Sequence, residues 1–342
     1  MNLQKVNKNQ PMSSQEKMIK KVFDEGKFLT EDSEINYACN ACRRCCQNQD
    51  IILSTLDILR LRRGLEAPTM AFLKSYVEVY PGGSSKMPVC LLKFIKVPEE
   101  VAEHLSICPF LKPVFYGELE AINKEGKTEE QIKEEISKIV QENANKGNMR
   151  EICSIHDNKP EICRLYPLGR GFAKKMGTEE VETKYFMVEK EKLPCSESCY
   201  GCEHKRTVKD LLKANNLGTH QKIQEKYNNN ICNLGMVSSE GKLSDNEFSM
   251  LTSLLYNFDS ILFFQKLEKV PSAINGIEEY KKIKEFYEDI PPLNQELLLK
   301  TLKKDATEED IHNAYENLVE VQTLVINKLV QKYGDGDKKN KA

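Results

Sequence analysis

Histidine is scarce in this chain, 5 among 342 residues, so a metal centre built mainly on imidazole is not expected. No apolar run is long enough to span a bilayer, since the longest candidates are interrupted by charge. The first eight residues, Met1 to Lys8, are hydrophilic and have no signal-peptide core. Both absences point to the cytoplasm and away from a membrane. There is no basic excess either: Lys+Arg 50 against Asp+Glu 52 gives a net charge of -2, and a general nucleic-acid binder needs a positive surface. No G-x-G-x-x-G loop, P-loop, Ser/His/Asp set or paired catalytic carboxylates stands out.

Cysteine, by contrast, is plentiful, with 12 in the chain. In a reducing compartment these read as metal ligands or redox groups rather than disulfides. Four of them form Cys39-Asn-Ala-Cys42-Arg-Arg-Cys45-Cys46. A two-residue gap lets the chain turn back so that flanking thiolates reach one soft cation. Neighbouring cysteines rarely share one tetrahedral ion, so Cys45 and Cys46 serve one cluster plus a second function, or two centres. A hydrophobic patch is the bland alternative.

Downstream, Cys108-Pro-Phe-Leu111 and the span from Cys153 to Cys163 add three thiols, and His156 is a possible but less typical nitrogen ligand. Arg43, Arg44 and Arg164 flank these cysteines and are candidates to donate to sulfur and offset its charge. Cys195-x3-Cys199-x2-Cys202 is a third group. Its spacing resembles that of radical-SAM enzymes, but Gly201 stands where those carry an aromatic, and no β/α alternation follows. Cys90, inside an apolar strand-like run, reads as core, and Cys232 as unligated.

The expected fold class is α+β and mainly helical. A polar segment, 1–34, is expected to carry a short helix over Met18 to Leu29, with the first ten residues disordered. A cysteine-cluster domain with a few short strands follows over 35–215, with a helical insertion near 128–145. A helical domain over 216–334 and a disordered tail over 335–342 complete the chain. Within it, Ser54 and Asp57 should start a helix that stops at Gly64, and a second helix should run from Pro68 to Pro81-Gly82-Gly83. Val89–Val97 and Lys184–Glu189 read as strands, a short helix-like piece precedes Cys108, Gly169 to Gly171 reads as a break, and Asn228–Asn230 as a loop. Helices are expected over Ser244 to Phe263, Ile277–Tyr287 and Leu293–Leu302, and from Thr307 onward.

The blocks Cys39–Cys46, Cys108-Pro-Phe-Leu111 and Cys153…Pro160-x-x-Cys163-Arg164-x-Tyr166-Pro167 resemble, in order and spacing, the YkgJ-type CxxCxxCC cysteine-cluster family, described as a zinc- or iron-chelating domain. The resemblance spans roughly residues 35–215. Lys159 replaces the family's arginine before the proline, and His156 replaces a usual aromatic; neither change removes a sulfur. A similar framework occurs in flagellin lysine N-methylases, which are linked with an iron–sulfur cluster.

The resemblance implies metal binding, with Cys39, Cys42, Cys45, Cys46, Cys108, Cys153 and Cys163 as ligand candidates. Seven thiols exceed the four of one tetrahedral zinc and favour an iron–sulfur cluster, a 4Fe–4S cubane first, with zinc as the alternative. Two further readings remain: a lysine methyltransferase, which alone would need S-adenosylmethionine, and a redox or electron-transfer protein. The C-terminal helices are candidates to bind a protein partner or substrate.

Overall fold

The structure, a computed structural model, describes residues 26, 28–39, 42–83, 85–100, 102–174, 178, 181–188, 199–239, 243–266 and 291–334. The expected disordered N-terminus, most of the expected helix before Leu29, the helix over Ile277–Tyr287 and the tail after Gly334 lie outside these residues. Leu29 itself forms an antiparallel bridge to Tyr185, so the end of that expected helix is extended chain. The fold is α+β and mainly helical, with short strands paired in sheets of two or three.

Strand β1 (Glu34–Tyr37) leads into the cysteine run, and β2 (Ile52–Leu53) leads out of it. Helix α1 (Thr55–Leu65) begins at Ser54, whose side chain and that of Asp57 form a capping box, as the sequence indicated. It does not stop at Gly64. Glu66, at φ 49°, ends it. Gly64 serves close packing instead: a Cβ there would lie 2.9 Å from Asn158 Cβ.

Helix α2 (Thr69–Tyr76) is shorter than expected, because Val77 and Val79 belong to β3 (Val77–Pro81), which pairs with β4 (Pro88–Leu92). β-branched residues fit a pleated edge better than a helix end. Cys90 is fully buried in β4, pairing with Leu53 on one side and Val79 on the other; it is core. The expected long strand breaks at Lys93-Phe94, and β5 (Ile95–Lys96) pairs with β6 (Ser106–Ile107), which replaces the helix-like piece before Cys108.

Strand β7 (Leu111–Pro113) pairs with β8 (Glu151–Cys153) across an excursion carrying α3 (Tyr116–Glu120) and the solvent-facing α4 (Glu129–Asn145), capped by Thr128 and Gln131. Helix α5 (Glu161–Leu165) is little more than one turn. The hairpin of β9 (Leu168–Lys174) and β10 (Val181–Met187) runs straight through Gly169 and Gly171, where a break was expected. A Cβ on Gly169 would come within 2.3 Å of the Phe186 ring, so that glycine admits a ring rather than a turn. Strand β11 (Tyr200–Thr207) returns to pair with β1.

The C-terminal helices are α6 (Val208–Ala214), α7 (Gln221–Ser239), α8 (Asp245–Tyr256), α9 (Phe258–Lys266), α10 (Gln295–Lys300) and α11 (Glu308–Gly334). Asn228 and Asn230 sit inside α7 rather than in a loop, because their amides are buried and partnered: Gln224 donates to Asn228 at 3.0 Å, and Asn230 to Thr323 Oγ1 at 2.9 Å. These helices close the same hydrophobic core as α1, where Leu56, Ile58 and Leu59 meet Leu254, Tyr315 and Leu318. Thr55 Oγ1 donates to Leu255 O at 2.8 Å and accepts from Gln322 Nε2 at 3.1 Å. Residues on either side of position 216 therefore share one packed interior. Among the described residues no helix is long and apolar enough to cross a membrane.

Candidate metal centre

Backbone pairing draws the separate cysteine blocks together. Arg43 takes a left-handed conformation, φ 62°, that turns the chain into a 3-10 turn over Arg44–Cys46. Cys108 N donates to Cys46 O at 2.8 Å, Gln47 bridges Ile107, and Asn48 Oδ1 accepts from Ser106 N at 2.7 Å. The cysteine turn is thus zipped to the Cys108 segment. Cys153 pairs with Leu111, and Ser154 N donates to Phe110 O at 2.9 Å, which brings in the third block. Cys163 follows on α5, and with Cys108 and Cys153 it packs against the main core.

The thiols feel one another. Hydrogen bonding with Cys46, burial and the neighbouring Cys46 and Cys42 push the Cys45 thiol far above its ordinary range, against the pull of Lys159. Burial, then Cys153 and Cys45, raise Cys108 to about 11, although backbone amides of Phe110 and Leu111 oppose them. Burial first and Cys45 next raise Cys153, opposed by the Ile155 amide, Lys159 and Arg43. Burial, Cys108, Cys45 and Cys153 raise Cys163. A cation among the sulfurs would favour their ionised forms. That electrostatic preference, with an all-sulfur donor set, fits a soft metal or a cluster. The thiols are neighbours rather than a closed coordination sphere: among the described residues, no three His, Cys, Asp or Glu side chains are arranged to hold an ion.

The remaining candidates are placed less centrally. Cys39 is exposed at the end of β1, where Ala38 N donates to Cys199 O at 3.0 Å, so it lies with Cys199 on the β1–β11 ribbon; Cys199 is buried. Cys195 and the side chain of Cys202 lie outside the described residues. Cys232 is half-buried on α7, where the nearby Lys174 opposes the upward push of burial on its thiol. His156 is exposed in a 3-10 turn, and burial followed by Lys159 lowers its imidazole.

Arg43 Nε donates to Glu151 O at 2.7 Å, and its charge reaches Cys153, whereas Arg44 is exposed. Arg164 is buried and spends its guanidinium on backbone oxygens of Lys159 (3.0 Å), Asp157 and Asn215 (3.4 Å). It braces the loop that carries the thiols. Two residues were missed by the sequence reading as contributors here: Lys159, whose charge faces both Cys45 and Cys153, and Asp57, described below. The signal for Lys159 was present, since it stands where the resembling family carries arginine.

Part of the chain matches a known family. Residues 38–190 match the family "CxxCxxCC: Putative zinc- or iron-chelating domain". The CxxCxxCC match takes in every cysteine from Cys39 to Cys163 and stops short of Cys195, covering somewhat less than half of the chain. No curated protein and no solved structure matches the chain.

Proposed function

We propose that the chain is a metal-cluster-binding protein in which Cys42, Cys45, Cys46, Cys108, Cys153 and Cys163 supply the ligands, with Cys39 reaching in from the β1–β11 ribbon. The observation that carries this reading is the meeting of three sequence-distant cysteine blocks in one half-buried place where the thiols raise one another. An iron–sulfur cluster, 4Fe–4S first, is preferred over zinc because the thiols outnumber the four that zinc takes. Bound there, a cluster would supply electron transfer, whereas zinc would supply folding stability of about 10–16 kcal/mol in apparent binding free energy. The chain's own residues half-bury the thiols, with Lys159 and Arg43 compensating their charge.

The deciding experiment is anaerobic purification with iron, sulfide and zinc quantification and an absorption spectrum. Broad absorbance near ~400 nm with matching iron and sulfide supports the cluster. Stoichiometric zinc in a colourless protein replaces it with a structural zinc site, and a chain that carries neither refutes metal binding. The methyltransferase reading requires, in addition, binding of S-adenosylmethionine and modification of lysine.

A further inference from the structure

Asp57 lies over a hundred residues before Cys163 in sequence, yet its carboxylate caps the turn that carries it. One oxygen, Oδ2, accepts from Ser54 N at 2.9 Å and Ser54 Oγ at 2.8 Å, completing the capping box of α1. The other, Oδ1, accepts from Glu161 N at 2.6 Å, at the start of α5. Pro160, which precedes that turn, makes no side-chain cap of its own. A single buried carboxylate, 3% exposed, therefore starts two helices at once.

The surrounding bonds fix the same loop from the same helix. Arg63 Nε donates to Asn158 Oδ1 at 2.7 Å, Arg170 holds the Glu161 carboxylate through two bonds of 2.6 and 2.7 Å, and Asn158 packs on Gly64. Helix α1 is in turn fastened to the C-terminal helices through Thr55, and its Arg60 and Arg63 pair with Glu308 at 3.3 and 2.7 Å. Cys163 thus has its place set by a rigid helix that carries no thiol itself.

We propose that Asp57 is the positioning residue of the thiol site, holding Cys163 against Cys45, Cys108 and Cys153 by capping α1 and α5 together. This rests on the metal-binding reading above. Asparagine at this position has one acceptor oxygen and can serve one helix start, not both. Ser54→Ala is the control: it removes the Ser54 hydroxyl from α1 and leaves the bond from Glu161 N to Asp57 in place.

The test loads the full chain with cobalt(II) alone and follows the thiolate-to-metal bands and the rate of cobalt loss to a chelator. Thermal unfolding and the alkylation rate of Cys163 in the metal-free chain are measured alongside. Asp57→Asn should release cobalt about 10–100-fold faster with weakened thiolate bands, the usual range for losing a residue that orients a ligand. Ser54→Ala should unfold at a lower temperature while keeping wild-type release. Equal release from Asp57→Asn and wild type overturns the proposal, as does Ser54→Ala matching Asp57→Asn. If the wild-type chain takes up no cobalt, the metal reading loses support, and alkylation still decides on Asp57. Faster labelling of Cys163 in the variant upholds positioning, and unchanged labelling overturns it.

Discussion

Cys163, half-buried, and Cys90, fully buried, separate into different tasks. Both thiols are pushed well above their ordinary range, and for both burial is the largest cause. Cys163 is then raised further by three other thiols, whereas the next contribution at Cys90 comes from Asp57 and its strand partners are Leu53 and Val79. Cys163→Ser and Cys108→Ser should each lower the metal retained after anaerobic purification. Cys90→Ser should retain it and lose about 1–3 kcal/mol of stability, since its hydroxyl enters an apolar interior. Metal analysis and urea unfolding on the same preparations check both; full metal retention in Cys163→Ser would remove that residue from the site. Much of this was legible in the sequence, because spacing announces thiols that share a point. Arg164 was not, because adjacency to a cysteine in sequence does not reveal that its guanidinium turns to the carbonyls of Asp157 and Lys159.

Helix starts were the most legible elements, and helix ends the least. Ser54/Asp57, Thr128/Gln131 and Ser244/Glu247 all form the capping boxes that their side chains suggest, since the bonds involved span three residues. Ends depend on partners elsewhere in the chain: Val77 leaves its helix for a strand because β4 is there to pair with it, and Gly169 of β9 makes room for Phe186. The box at Ser244 also ties α8 to α11. Burial alone would raise the Glu247 carboxyl, but hydrogen bonds from Lys332, Tyr333 and Ser244 outweigh it and pull it down to about 2. A carboxyl lowered in the folded state stabilises above its ordinary value, 4.5, and loses that contribution as pH falls towards about 2. Urea unfolding should therefore show the wild type losing stability more steeply than Glu247→Gln between those limits, with the variant weaker by about 1–2 kcal/mol near neutrality. Parallel pH profiles would mean that the carboxylate contributes nothing through its charge.

Across the whole molecule, the thiol site and the C-terminal helices depend on one scaffold, helix α1. Its apolar side chains Leu56, Ile58 and Leu59 share one core with residues of α8 and α11, and its buried Arg60 and Arg63 meet Glu308 at the start of α11. A chain ending at residue 215 would expose part of that core and leave both guanidiniums in place without their carboxylate, while Thr55 would lose Leu255 and Gln322. Burial of apolar surface is the main stabilising term, and its loss here falls on the helix that positions Cys163. Residues 26–215 expressed alone should accordingly give no cooperative unfolding transition and should lose metal to a chelator far faster than the full chain. Circular dichroism melts and chelator challenge on the fragment and the full chain provide the comparison. A fragment that melts cooperatively and keeps its metal would show that the cysteine blocks, held by β5 to β8, fold without the helices that follow. The sequence could not announce this dependence, since composition marks where helices lie but not that Leu254 and Leu318 complete a core begun two hundred residues earlier.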